Sequence, residues 1–422
     1  MPEKPIELLS PIGSFESLQA AIEAGADAVY FGVEQLNMRA KSINSFSVAD
    51  LKDISAACRP RSVKTYLTLN TILYDHDMQL MCSIVDHARQ NGVDAIIASD
   101  FAVIALCNEM KMPVHISTQA NVSNMRSVEF FSQFADVIVL ARELTLKQVE
   151  SITKEIKRKK IRGVSGQALK IEVFIHGALC MAVSGKCYLS LHQQNASANR
   201  GACTQVCRRP YKVADAESGE ELLIDNAYIM SPKDLSTIDI IDQIIASGID
   251  VLKIEGRGKG PEYVYTTTRC YREAIDAIEE GNYTADKISE WKAQLASVYN
   301  RGFWEGYYLG RKLGEWTAHP GSAATEKKIY IGKCTKYYPG IQIGEFLIES
   351  GKLQKGDTIL ITGNRFGIHK QKLNDFRVNG AEDNFASRRD QISFPLKVKP
   401  SLNDKLYKIV KAEDAQDYFL PR

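Results

Sequence analysis

The sequence predicts an α/β protein: a (β/α)8 barrel of the TIM type with a cysteine-bearing insertion after its seventh strand, followed by a small C-terminal β-barrel. Three observations carry this. Over the first 280 residues a unit of about 30 to 40 residues recurs, running from apolar helix through a Gly or small residue and an Asp to an apolar strand. About 50 residues separate Leu179 from Ser231, where a barrel loop usually needs a handful, and four of the nine cysteines lie there. From Lys327 the pattern changes to short alternating runs punctuated by glycines.

Four junctions display the unit: Gly25-Ala26-Asp27, Gly92-Val93-Asp94, Phe134-Ala135-Asp136 and Gly248-Ile249-Asp250. Gly after a helix suits the left-handed position there, and the apolar run that follows reads as a buried parallel strand. Eight strands are expected, at Ile6–Pro11, Ala28–Gly32, Lys64–Asn70, Ala95–Ser99, Val114–Gln119, Val137–Arg142, Ile171–Ala178 and Asp250–Gly256. Between them come helices such as Ser14–Ala24, with Phe15, Leu18 and Ile22 on one face. Ser231-Pro232-Lys233-Asp234 reads as an N-cap, and predicts a helix from there through Ile244 to Gly248. Tyr263–Glu280 reads as the eighth helix. Eight units in series favour a closed barrel over a doubly wound sheet. The expected divisions are a barrel domain over 1–310 with its insertion at about 180–230, a linker over 311–326, and a β-barrel domain over 327–422.

The chain has 422 residues, 45% hydrophobic and 25% charged, which suits one large and one small globular domain. A net charge of +2 does not force nucleic-acid binding through bulk charge, but leaves room for a local basic face. No run approaches the ~18 apolar residues of a membrane span, and Met1–Pro5 begins no secretory signal. The expectation is a cytoplasmic protein with no membrane partner, where clustered cysteines serve as metal or redox ligands more often than as disulfides.

Cys180, Cys187, Cys203 and Cys207 are spaced by six, fifteen and three residues. Thiolates suit zinc or an iron–sulfur cluster. Zinc ribbons present two short cysteine pairs, and only Cys203 and Cys207 form one, so the spacing favours a cluster. Structural zinc and four unrelated buried thiols remain the plainer readings. Cys58, Cys82, Cys107, Cys270 and Cys334 sit in or beside apolar segments and read as small core residues.

The stretch Glu172-x-Phe174-x-x-Gly177-Ala178-Leu179-Cys180, with Gly185, Cys187, Leu189 and Ser190 after it, resembles the signature of the collagenase-like family once filed as peptidases of unknown catalytic type. Glu7–Ser14, Gly25–Gly32, Ser117–Asn121, Leu140–Glu143, Asn199–Cys203 and Lys253–Arg257 extend the resemblance over the whole chain. In length and domain pattern it looks like the tRNA-hydroxylation branch. The resemblance implies that Cys180, Cys187, Cys203 and Cys207 hold an iron–sulfur cluster of the 4Fe-4S type. It further implies formation of 5-hydroxyuridine at the wobble position of tRNA without molecular oxygen, with prephenate as co-substrate. An accessory protein or a second copy of the chain belongs to the same expectation. The residues themselves speak against the peptidase label: there is no His-Glu-x-x-His, no Gly-x-Ser-x-Gly, and only seven histidines.

Polar residues at strand ends are the candidate site: Asn37 and Arg39, Asn70, Ser117 and Gln119, Arg142 and Glu143, His176, Lys253, Glu255 and Arg257. His176, Lys253 and Glu255 are the candidate catalytic groups. Arg39, Asn70, Gln119, Arg142, Arg200 and Arg257 are the candidate substrate-binding groups, with the arginines as clamps for a small carboxylated donor. Several buried charges together argue for an anionic ligand or acid–base work. The plainer alternatives are a structural Lys–Glu ion pair and a satisfied core histidine at His176. For a tRNA anticodon loop, the basic stretches Lys154–Arg162 and Arg208–Tyr211 and the scattered C-terminal cations are the candidate contacts; a solvated face is the ordinary reading of the first. Two rivals follow: a collagenase-like peptidase, and a zinc-stapled, non-catalytic RNA-binding protein.

Overall fold

The computed structural model describes residues 6–40, 45–212, 217–218, 228–310, 314–319 and 321–418. Its first part is a closed parallel barrel. The strands are β1 (Glu7–Pro11), β2 (Ala28–Phe31), β3 (Lys64–Leu69), β4 (Ala95–Ala98), β5 (Val114–Ile116), β6 (Val137–Val139), β7 (Lys170–Gly177), β8 (Asp234–Ser236), β9 (Val251–Ile254) and β10 (Phe303–Trp304). β1 to β7 pair in sequence order, and β9 closes the ring by pairing parallel with both β7 and β1. All eight expected strands are therefore barrel staves.

The helices are α1 (Phe15–Glu23), α2 (Leu51–Cys58), α3 (Met78–Gln90), α4 (Phe101–Glu109), α5 (Met125–Phe131), α6 (Leu146–Lys159), α7 (Leu189–Gln194), α8 (Ile241–Ala246), α9 (Pro261–Glu279) and α10 (Ala285–Ser297). Ser14 caps α1 by accepting from the Ser17 N–H at 3.2 Å. Leu8, Val29, Leu67 and Ile96 face the helices, while Leu9, Ala28, Tyr30, Tyr66 and Ile97 fill the interior.

The aspartate of the recurring unit has a structural task. Asp27 accepts the Leu8 N–H at 2.8 Å, Asp94 that of Thr65 at 2.7 Å, and Asp250 that of Ile171 at 2.9 Å. Each satisfies a donor at the start of the neighbouring strand. Asp136 serves the turn before β7 instead, accepting from Ser165 N–H at 3.1 Å.

One expectation is corrected. The Ser231–Ile244 segment does not begin as a helix: Asp234–Ser236 is β8, and α8 starts only at Ile241. β8 pairs antiparallel with the end of β7 and parallel with β10. The Lys233 and Asp234 N–H groups go to Glu315 O and Gly302 O, both at 2.9 Å, so partners distant in sequence take the donors that a helix would leave to its cap. The expected strands at Val114–Gln119 and Val137–Arg142 also stop early, at Ile116 and Val139, and their last residues turn out as loops over the barrel mouth.

The C-terminal part is antiparallel. It comprises β11 (Glu326–Tyr338), β12 (Ile343–Ile348), β13 (Lys352–Gln354), β14 (Thr358–Gly363), β15 (Gly367–Lys372), β16 (Arg377–Val378), β17 (Ala381–Glu382), β18 (Phe385–Ser387), β19 (Gln391–Pro395) and β20 (Lys405–Lys411). Eight of these form one sheet, in the order β15-β14-β20-β11-β12-β19-β16-β17, and β13 pairs with β18. Both sheets share a core that includes Ile331, Phe346, Leu353, Ala386 and Phe394. β15 packs on α1, and Lys328 of β11 reaches Glu262 of α9 at 2.8 Å. Of the expected 311–326 linker, residues 311–313 and 320 lie outside the described residues, as do 213–216 and 219–227 of the insertion. Among the described residues no helix is long and apolar enough to cross a membrane.

Candidate functional site at the barrel mouth

The C-terminal ends of the strands open on a cavity of about 620 Å³, the size of a small-molecule site. Its floor is the inner face of β2, β3, β7 and β9, and the insertion after β7 forms its roof. Cys180, Cys187, Cys203 and Cys207 all line it, and all are free thiols. Two glycines let the roof come down. Gly177 ends β7 at φ +104°, where a Cβ would lie 2.4 Å from Glu255 O; Gly201 has φ +84°, and a Cβ there would lie 2.3 Å from Asn37 O.

Among the described residues, seven cations line this cavity against a single carboxylate, Glu255. Arg39 Nη2 meets Glu255 Oε1 at 2.9 Å. Burial raises the Glu255 carboxyl, but Arg39 and then Arg142 outweigh it and hold the group down at about 2. Arg257 is braced by Thr68 Oγ1 at 2.5 Å and Asn37 Oδ1 at 3.2 Å, and burial lowers it to about 10. Arg142 lies 3.8 Å over the Phe174 ring and donates to Ala178 O at 3.0 Å, and its Nε has no partner. Lys259 sits 3.0 Å over the Tyr299 ring, lowered to about 8 by burial and by neighbouring Arg301. Lys253 Nζ is 2.6 Å from Glu172 Oε1. Asn70 Nδ2 donates to Gln119 Oε1 at 3.1 Å, and Gln119 Oε1 also takes the Ser117 hydroxyl. An excess of positive charge held rigidly in a partly closed space is an anion receptor.

The structure therefore gathers Arg39, Asn70, Gln119, Arg142, Lys253, Glu255, Arg257 and the four cysteines around one space. Four candidates, Asn37, Glu143, His176 and Arg200, are not among its lining residues. Arg200 is spent on Asp77 at 2.8 Å and on the Tyr74 ring at 4.0 Å, outside the cavity lining, so it pins the roof to the loop after β3. His176 is 1% exposed, outside the cavity lining and packed among Tyr263 and Tyr271 of α9 and Phe303 of β10, and burial lowers its imidazole to about 3. It is neutral at any ordinary pH and has no access to the cavity, so the core-histidine reading fits it. Glu143 lines only a small neighbouring cavity, whereas Arg142, in the same loop after β6, lines both. Arg208 is engaged with Ser231 Oγ, Pro232 O and Leu179 O, so it clamps the insertion instead of waiting for a phosphate. On α6, Lys154, Arg158 and Lys159 pair with Glu150, Glu155 and Glu129, as a solvated face does.

Glu172, His115, Lys259 and Arg301 escaped the sequence reading as site residues. Glu172 and His115 stood in plain view as ionisable residues inside apolar strands, which is the signal that finds them.

Thiols are the ligands an iron–sulfur cluster takes, and the four free thiols line one cavity. Among the described residues, no group of three or more His, Cys, Asp or Glu side chains is gathered closely enough to hold one metal ion. Burial raises the Cys207 thiol, and Arg208 opposes that; Cys180, Cys203 and Cys187 each act on it as neighbouring negative charges, so the four share one region of field. Cys180 and Cys203 in turn strengthen the charge on Arg39.

Residues 13–318 match the model of peptidase family U32. A collagenase of Porphyromonas gingivalis is 54% identical over 408 residues, covering 97% of this chain and 99% of that protein. A tRNA hydroxylation protein of Bacillus subtilis is 33% identical over 313 residues, covering 72% of this chain and 71% of that one. The 23S rRNA 5-hydroxycytidine synthase of Escherichia coli is 36% identical over 317 residues, covering 74% of this chain and 46% of that one.

Proposed function

The chain belongs to peptidase family U32, and on that premise we propose that it is an RNA-modifying enzyme that hydroxylates a pyrimidine without molecular oxygen. The product in this reading is 5-hydroxyuridine at the wobble position of tRNA, made in the cytoplasm. One observation carries it: four free thiols and a cation-rich barrel mouth line the same cavity. Cys180, Cys187, Cys203 and Cys207 would hold an iron–sulfur cluster of the 4Fe-4S type. Replacing a ring hydrogen by hydroxyl withdraws two electrons from the base; in this reading the hydroxyl-bearing donor is reduced in exchange, and a bound cluster would carry electrons between the two.

The chain's own residues do the rest. Arg142, Arg257 and Lys253 bind the carboxylates of a small donor, for which prephenate is the candidate, and Arg39 with Glu255 fixes one wall. Asn70 and Gln119 present amides to a base splayed out of its stack into the cavity. The roof keeps bulk water from the reacting atoms.

The peptidase reading is supported by names, among them those of two collagenases of Porphyromonas gingivalis at 54% and 49% identity. It needs a nucleophile with a base or an open metal site. All seven histidines are described, and none lines the cavity.

The test is iron and acid-labile sulfide, with a visible spectrum, on protein purified without air. Iron with sulfide that disappears in Cys180→Ala, Cys187→Ala, Cys203→Ala and Cys207→Ala supports the hydroxylase. Stoichiometric zinc without sulfide supports a zinc-stapled binding protein instead. Peptide cleavage that survives removal of iron supports the peptidase.

A further inference from the structure

Barrel interiors of this class are filled mainly by branched apolar side chains. This one carries a line of ionisable groups. Lys253 is the member that faces the cavity, its ammonium 2.6 Å from Glu172 Oε1. The other carboxylate oxygen, Glu172 Oε2, has no hydrogen-bond partner, although the side chain is fully buried. His115 Nδ1 lies 3.8 Å from it, equally without a partner, on a side chain 7% exposed. The remaining neighbours are polar but committed. The Tyr66 ring is 4.4 Å from the His115 ring, and its hydroxyl donates to Glu7 Oε1 at 2.7 Å. Glu7 Oε2 holds Lys64, half exposed at the opposite end of the barrel, at 2.6 Å. Arg142 and Arg257 face Lys253 from the cavity side.

Glu172 stays ionised through Lys253 first and His115 second. Burial alone would raise its carboxyl, and Lys253 keeps it below the ordinary range, with His115 helping. A carboxylate that drew the Lys253 ammonium toward itself would set a second negative charge beside Glu172. The buried pair then has one inexpensive response, which is to take a proton across the open 3.8 Å contact.

We infer that the cavity binds small carboxylates together with one proton, and that the buried Glu172–His115 pair holds that proton. The inference rests on the proposed reading of the cavity as the seat of the donor. It adds that the donor arrives with its own proton, stored one hydrogen bond below Lys253. Tyr66, Glu7 and Lys64 mark a polar line to solvent at the far end of the barrel, away from the mouth that the ligand covers. By linkage, affinity falls as pH rises, at most tenfold per pH unit.

Succinate serves as the probe, in titration calorimetry of the full chain at pH 6 and pH 7 in two buffers of different ionisation enthalpy. Both values lie below the window near 8 in which Lys259 loses its charge, so that ammonium contributes little. The expected result, after the protons that free succinate itself carries are accounted for, is uptake of close to one proton per succinate and binding several-fold weaker at pH 7. Glu172→Gln should bind without proton uptake and without pH dependence. His115→Asn, which leaves the Lys253–Glu172 contact in place, should lower the uptake and decides the assignment if Glu172→Gln does not fold. Binding with no uptake in the unaltered chain, uptake that persists in the variants, or no binding at millimolar succinate each overturns the inference. None of these readings uses iron or RNA, so failure here and failure of the hydroxylase reading are told apart.

Discussion

At the mouth of the barrel, charge is arranged so that positive groups outnumber their partners. Arg39 and Glu255 form the best-defined pair, and the depressed Glu255 carboxyl fixes the sign of its pH dependence. A carboxyl lowered in the fold contributes stability that is present above its unfolded value and lost as pH falls through its folded value. Arg39→Met should therefore cost about 2 kcal/mol near pH 7, less than the loss of a fully buried partner because the guanidinium is about a third exposed. The difference from the unaltered chain should shrink as pH falls from about 5 toward 2, as measured by denaturant unfolding. Lys259 gives a second test: carboxylate affinity should fall further as pH rises through about 8, and Lys259→Met should lack that limb. Residues of this kind were legible because they follow the strand ends. What each side chain meets was not. Arg200 looked like a clamp until its partner proved to be Asp77, 123 positions away, and His176 sits on a strand whose inward and buried faces the sequence does not distinguish.

At the level of elements, β7 and its insertion decide the site. The strand must end in a left-handed residue pressed against the backbone that follows β9, and only Gly177 meets both demands. Gly177→Ala should cost about 2 kcal/mol or more, through strain at φ +104° and a Cβ 2.4 Å from Glu255 O. It should also move Cys180 and Glu255 apart, which is read as lowered iron content in the folded variant. The staves were legible because each carries its own Gly or small residue and Asp, and the Asp carboxylates prove to tie neighbouring strands in three of the four cases. The Ser231 cap was a false signal. Its local chemistry is sound, but Lys233 and Asp234 find Glu315 and Gly302 far along the chain, and no local pattern reports that.

The whole molecule couples this barrel to an antiparallel domain with its own core. Phe346 and Phe394 stack there at 5.2 Å, both buried. Phe346→Ala should destabilise that domain by about 3–5 kcal/mol while leaving the thiols and the cavity in place. Thermal unfolding should show the loss, and iron content of the folded protein should not change. The relatives name two activities, and the mouth at which either would act holds cations, amides and free thiols. The most direct measurement is the nucleoside composition of tRNA from cells lacking this chain, complemented with the unaltered protein or with Cys203→Ala. The account predicts that 5-hydroxyuridine and nucleosides derived from it disappear on deletion, return with the unaltered protein, and stay absent with Cys203→Ala. A hydroxylated-uridine content that deletion leaves unchanged, together with unchanged hydroxycytidine in ribosomal RNA, would contradict it.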